Sequence, residues 1–145
     1  PREHREALHD RIYGCDDCQT ACPFVRRSAP RAGGAVPESS VDVIDLWSMN
    51  DRELMDHCDR WYVHDRDPLW VRRNIIVVLG NIGTADNENV RRVVGEALAH
   101  SHPVIRAHAV WTAGRLGLAD MVPMHDSDPV VADEIAHLPA LRGPA

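Results

Sequence analysis

Two stretches of this chain read as copies of one another. "RRNIIVVLGNIG", Arg72 to Gly83, aligns with "RAHAVWTAGRLG", Arg106 to Gly117, at an offset of 34 residues. Each follows a proline and an aliphatic residue, and each ends in Gly-x-x-Gly. "DPVVADEI", Asp128 to Ile135, reads as a decayed third start. A helical pair that recurs at this period buries its apolar face on the next pair, so the repeat predicts an α-solenoid. An ordinary helical bundle with one accidental echo is the competing reading.

Apolar periodicity carries the same expectation along the chain from Val41. Ser48 with Asp51 three residues on resembles a capping box, and Leu54, Cys58 and Trp61 then share one helix face. Val71, Ile75, Leu79 and Ile82 form the next stripe, with Gly80 and Gly83 marking its end. Asp86 or Asn87 is placed to cap a helix whose face is Val90, Val93, Val94, Ala97 and Leu98. Pro103 suits the first turn of another, with Ile105, His108, Ala109, Thr112, Ala113 and Leu116 inward and Gly117 as its stop. A weaker last helix carries Val131, Ile135 and Leu138. The motif P-x-x-R-x-x-A-x-x-x-x-G within the repeat, Pro103 to Gly114, resembles the second helix of a HEAT-like repeat. The fold class expected is mainly α: a HEAT-like solenoid tail over residues 41–145, a Pro, Gly and Ser-rich linker over 28–40, and a small cysteine-bearing segment over 1–27.

That segment contains "GCDDCQTACPF", Gly14 to Phe24. Cys15, Cys18 and Cys22 fall within eight residues, and Cys58 stands apart. Clustered thiols read as a metal pattern in a reducing compartment more than as a disulfide framework. Cys15-x2-Cys18-x3-Cys22-Pro23 resembles the latter part of the bacterial ferredoxin run, in which the last cysteine before proline ligates the other of two clusters. On that logic Cys15 and Cys18 hold one 4Fe-4S cluster and Cys22 reaches a second, the remaining ligands coming from outside this chain. Zinc held by the three cysteines with His4 or His9 is the alternative metal reading. Cys58, on an apolar face, reads as a buried structural thiol, and His108 as a packed, hydrogen-bonded core histidine. No Ser-His-Asp set, P-loop or G-x-G-x-x-G occurs, and no catalytic residue is assigned.

Composition limits the partners. The formal net charge is −6, which argues against bulk affinity for nucleic acid. Yet all sixteen basic residues are arginine, with tight groups at Arg26, Arg27 and Arg31, at Arg72 and Arg73, and at Arg91 and Arg92. Arginine forks suit phosphate. Arg72, Arg73 and, one repeat on, Arg106 are the candidate phosphate-contacting residues along one solenoid edge. The plainer reading pairs them with acids such as Asp65, Asp67 and Glu96, holding the repeats together. No apolar run approaches membrane-spanning length, no signal peptide is visible, and a cytoplasmic location is expected.

"RIYGCDDCQTACPF", followed by a linker and then by "RRNIIVVLGNIG" and "HPVIRAHAVWTAGRLG", resembles the C-terminal half of the epoxyqueuosine reductase family. The matching positions are Arg11 to Pro23, Arg73, Asn74, Leu79 to Asn81, Pro103, Arg106, Ala109, Trp111 and Gly114. The resemblance implies an oxidoreductase that removes the epoxide oxygen of epoxyqueuosine in tRNA, with cobalamin performing the chemistry and two 4Fe-4S clusters supplying electrons. It implies a HEAT-like tail that helps cradle tRNA, and an upstream domain or partner chain that supplies cobalamin binding and the other cluster ligands. Phe24 and Val25 depart from the Trp-Asn that follows Cys-Pro in the family. Two other readings stand beside it: a ferredoxin-like electron-transfer subunit of a split oxidoreductase, and a metal-free HEAT-like interaction module.

Overall fold

The computed structural model describes residues 1–14, 18, 21–24 and 40–138. The linker expected over 28–40 therefore lies outside the described residues apart from Ser40, as do Cys15, Arg26, Arg27 and Arg31. Among the described residues the structure is mainly α and contains no strand. From residue 40 on, the described residues form six α-helices in turn: α1 Val43–Ser48, α2 Asp51–His57, α3 Pro68–Ile82, α4 Glu88–Leu98, α5 Pro103–Leu116 and α6 Pro129–Ala136. Short 3-10 turns at Arg2–His4 and Glu6–Leu8 precede them.

Caps set the helix starts. Helices α3, α5 and α6 each open on proline, whose missing N–H costs nothing in a first turn. The preceding side chain accepts from the exposed backbone: Asp67 from Leu69, His102 from Val104 and Asp128 from Val130. Asn87 rather than Asp86 caps α4, accepting from the backbone N–H of Asn89 and Val90. The expected capping box at Ser48 and Asp51 is displaced to Asn50 and Glu53, which bond reciprocally at 3.0 Å each way. The reason is local. The Ser48 hydroxyl donates back to the Ile44 carbonyl at 2.9 Å as the last residue of α1, so it is not free to open α2.

Packing follows the repeat. Helix α5 lies against α3, α4 and α6, and α1 covers α3 and α4. Ile75, Ile76, Val78, Val93, Val94, Ala97, Ile105, Ala109, Val110 and Ala113 are wholly buried. Helix α3 buries more than one stripe because partners cover it on several sides. Ile82, expected in that stripe, is 52 % exposed, being the last helical residue before the chain turns at Gly83. Gly80 does not mark the helix end either; α3 runs through it. A Cβ there would stand 2.8 Å from the Trp111 ring and 3.0 Å from Thr112 Oγ1, so glycine permits the α3–α5 approach. The Thr112 hydroxyl, fully buried at that crossing, donates to the Ile76 carbonyl at 2.8 Å. No helix among the described residues is long and apolar enough to cross a membrane.

Candidate functional site

The chain that leads into the cysteine motif is tied to the helical repeat by its backbone. Asn81 Nδ2 donates to the carbonyls of Arg5 and His9 at 2.9 and 3.0 Å, and Asn74 Nδ2 to that of Ile12 at 2.8 Å. The two asparagines sit seven residues apart on α3 and share a face. Asparagine inside a helix is ordinarily unfavourable because its side chain competes for backbone groups; here the amides satisfy carbonyls of a segment with little regular structure of its own. One residue beyond Ile12, the Tyr13 hydroxyl accepts from the Tyr62 backbone N–H at 2.8 Å, and the Tyr13 ring stacks on Trp61 at 5.0 Å between centroids. Gly14 then adopts φ +64°, a left-handed conformation that a β-carbon disfavours, just before Cys15.

Charge secures the other end. Arg5 Nη2 donates to Glu134 Oε1 at 2.7 Å, Arg2 Nε to the same oxygen at 3.0 Å, and Arg2 also pairs with Asp133. Glu134 is buried, and burial alone would push its pKa up. The hydrogen bonds and charges of Arg5 and Arg2 outweigh that and hold it below the usual carboxylate range. The Arg5 guanidinium also lies over Trp111, 5.6 Å from the ring centroid.

Of the motif itself, Cys18 is an exposed free thiol and Cys22 a half-buried one, while Cys15 lies outside the described residues. Among the described residues no three His, Cys, Asp or Glu side chains come together as a metal site, and the structure does not bring His4 or His9 to Cys18 and Cys22 as one. The donor chemistry of two free thiols suits thiolate ligation. Cys58 is buried, and burial raises its pKa, as befits an inert core thiol.

The three candidate arginines divide into two kinds. Arg72 fastens the α1–α2 loop: it donates to Asp51 Oδ1 through Nε and Nη2 and to the carbonyls of Trp47 and Met49. Arg106 repeats the arrangement one unit later, with a forked pair to Asp126 at 2.8 and 3.1 Å and bonds to the carbonyls of His100 and Ser101. Their side chains are only 13 % and 19 % exposed. The acids expected as partners are engaged elsewhere: Asp67 caps α3, Glu96 accepts from Arg92 and the Trp47 indole, and Asp65 pairs with His64. Asp51 and Asp126 take that place because the first opens α2, just after the loop that Arg72 clasps, and the second lies in the loop before α6, facing Arg106. Arg73, by contrast, has no acid partner among the described residues, where it bonds to Asn74 Oδ1.

His108 is a core residue whose Nδ1 meets the Val104 carbonyl at 2.7 Å, an arrangement in which the neutral ring donates. Burial lowers its pKa to about 4; the positive charges of Arg5 and Arg73 add to the effect, and the Val104 bond and Glu134 oppose it. An unfolded histidine titrates near pH 6.5. The unfolded chain therefore takes up a proton before the folded one as pH falls, and stability held above about pH 6.5 is lost toward pH 4. Urea unfolding is expected to lose about 2 kcal/mol between pH 7 and pH 5 from this group. His108→Gln should flatten that slope; an unchanged slope would assign it to other groups.

No protein-family model matches the chain. It is 31 % identical over 119 residues to the epoxyqueuosine reductase of Yersinia pestis and 30 % identical over 119 residues to that of Escherichia coli K12. Each alignment takes in 77 % of this chain but only 27 % and 30 % of those proteins, so the chain spans less than a third of the curated relatives it matches. In three dimensions it is similar to epoxyqueuosine reductase from Bacillus subtilis, with a TM-score of 0.71 at 25 % identity over 97 % of this chain and 40 % of that one. A crystal structure of an epoxyqueuosine reductase with an epoxyqueuosine-modified tRNA-Tyr stem loop shares the fold, at a TM-score of 0.72 over 97 % of this chain and 40 % of that one. By sequence and by fold, this chain belongs to the epoxyqueuosine reductase family.

Proposed function

We propose that the chain is the C-terminal iron-sulfur and tRNA-binding portion of an epoxyqueuosine reductase-type enzyme, which reduces epoxyqueuosine to queuosine in tRNA. The observation that carries this reading is the 119-residue similarity to proteins named epoxyqueuosine reductase, in a chain that also has a cysteine motif ahead of a helical repeat. Cys15, Cys18 and Cys22 would serve as thiolate ligands of 4Fe-4S clusters, which supply electrons when bound. Cobalamin and the remaining ligands belong to sequence outside this chain, in an upstream domain or a partner. The HEAT-like repeat would span residues 41–145. Their arginines act on RNA in two ways: Arg72 and Arg106 brace the loops of one edge, and Arg73 offers a guanidinium free of any carboxylate.

A chimera tests this. Residues 1–145 replace the matching stretch of the Escherichia coli relative, in cells lacking their own reductase, and tRNA nucleosides are read by mass spectrometry. Queuosine is expected to return, and the triple change Cys15→Ser, Cys18→Ser, Cys22→Ser should remove both the queuosine and bound iron. A folded chimera whose iron content ignores those three cysteines would sink the assignment and favour a metal-free interaction module.

A further inference from the structure

Beside the anchored segment lies a cleft of about 270 Å³, lined by Tyr13, Trp61, Tyr62, Trp70, Arg73 and Asn74 among others. Its surface is aromatic. Tyr13 and Trp61 lie within 3° of parallel, Tyr62 stands 81 % exposed, and the Trp70 ring lies 5.5 Å from the Arg73 guanidinium. An exposed tyrosine flanked by two half-buried tryptophans is costly surface to leave open to water.

The polar group in this cleft is unbalanced. Arg73 Nε and Nη2 both donate to Asn74 Oδ1, at 3.1 and 2.7 Å, and Asn74 is itself held by the Ile12 carbonyl. Arg73 Nη1 makes no hydrogen bond among the described residues, nor is it sealed from solvent. Among the described residues, no aspartate or glutamate lines the cleft. Burial, and then the repulsion of Arg5, weakens the hold of Arg73 on its proton. In a chain of 22 acidic and 16 basic residues, a half-buried guanidinium without a carboxylate is out of keeping with Arg72 and Arg106, each of which has an aspartate. Such a charge is held at a cost that an incoming anion offsets.

We propose that this cleft binds one unpaired nucleotide, with its base against the aromatic surface and its phosphate on Arg73 Nη1. An apolar ligand would leave the guanidinium unanswered, and a bare anion would leave the rings exposed; a flat ring joined to a phosphate answers both. The cleft is at the small end of ligand pockets, which suits one nucleotide and excludes a duplex. Aromatic faces accept any base, so recognition here is by stacking and charge rather than by sequence. The proposal rests on the reading of the chain as RNA-facing and places an unpaired stretch of that RNA beside the entry to the cysteine motif. A free nucleotide has the same chemistry, and the test separates the two.

The chain carries four tryptophans, giving four indole N–H signals in a nitrogen-15 spectrum. Titration with the trinucleotide UpUpU should move the signals of Trp61 and Trp70. Those of Trp47, bonded to Glu96, and Trp111, beneath Arg5, should stay still and report that the fold is intact. Uridine 5′-monophosphate should bind more tightly than uridine or inorganic phosphate, and UpUpU more tightly than the monophosphate, with an affinity that falls as salt is added. Tyr62→Ala, a change at an exposed side chain, should weaken binding roughly five- to a hundredfold. Arg73→Gln should erase the preference for monophosphate over uridine. Silence at Trp61 and Trp70 with every probe overturns the proposal, as does equal binding of uridine and its monophosphate by the parent chain. Equal binding of monophosphate and trinucleotide overturns the RNA as its source. Queuosine formation by the chimera can fail while these shifts appear, and the reverse, so the two readings fail separately.

Discussion

Val94→Asp is expected to leave the helices without cooperative structure at room temperature. Val94 is wholly buried on α4, in the layer that packs against α5 and α1. The change removes roughly 1.5–3 kcal/mol of apolar burial and puts a carboxyl where no partner awaits it. Whether that group stays charged or takes a proton, its desolvation adds several kcal/mol. A total of about 5 kcal/mol or more equals the whole stability of many small domains. Far-UV circular dichroism and urea titration read the result. Val130→Asp is the matched control: Val130 is 54 % exposed in the first turn of α6, where a carboxylate suits the helix dipole. Cys15→Ser should likewise leave the helical signal unchanged. A Val94→Asp chain that unfolds cooperatively within about 1 kcal/mol of the parent would remove α4 from the core.

The layer that Val94 belongs to was legible from periodicity alone. Val90, Val93, Val94, Ala97 and Leu98 recur at helical spacing and all are buried, because α4 has one wet face and one dry face. Helix α3 was harder to read for the opposite reason. Being covered on several sides, it buries Ile76, Val77 and Val78 as well as Val71, Ile75 and Leu79 of its stripe, and a helix covered on several sides has no strong period to find. Gly80 misled for a related reason: glycine near a helix end signals a stop in one dimension, but here it answers a steric need across space, at Trp111 and Thr112.

Partner identity was the least legible layer. That Arg72 and Arg106 occupy equivalent places follows from the 34-residue offset, and both do clasp a loop through carbonyls and an aspartate. Which aspartate depends on where each loop folds back, and sequence proximity pointed to Asp65 and Asp67 instead. Asn74, Asn81 and Glu134 drew no attention as anchors, since each bonds to residues more than sixty positions away. The visible hint was two asparagines a heptad apart inside an apolar helix, an unfavourable choice without a task. Their task is to hold the segment that precedes the cysteines, which makes the repeat a platform for that segment as well as a neighbour to it.

Glu134→Ala is expected to release that segment while the six helices stay folded. Glu134 takes Arg5 and Arg2 on one oxygen in a nearly closed site, and the Arg5 side chain is only 11 % exposed. Arg5 Nη1 is already buried without a partner, so loss of the carboxylate leaves the guanidinium with its charge uncompensated. Breaking a buried pair from one side costs roughly 3–5 kcal/mol. That cost falls on residues 1–13, which have only short 3-10 turns of their own and can leave without disturbing α3 against α5. The amides of that segment should then exchange with solvent roughly a hundred- to several-thousandfold faster, while amides of α4 and α5 keep their protection. Glu134→Gln, which keeps the shape and one acceptor oxygen but not the charge, should fall between. Unchanged exchange over residues 1–13 would show that Asn74, Asn81 and Tyr13 hold the segment by themselves; loss of protection throughout would show that it is an integral part of the core. Where residues 1–13 are released as expected, the chimera bearing Glu134→Ala should also carry less iron with every cysteine in place, because the chain that delivers Cys15 is no longer fastened to α6.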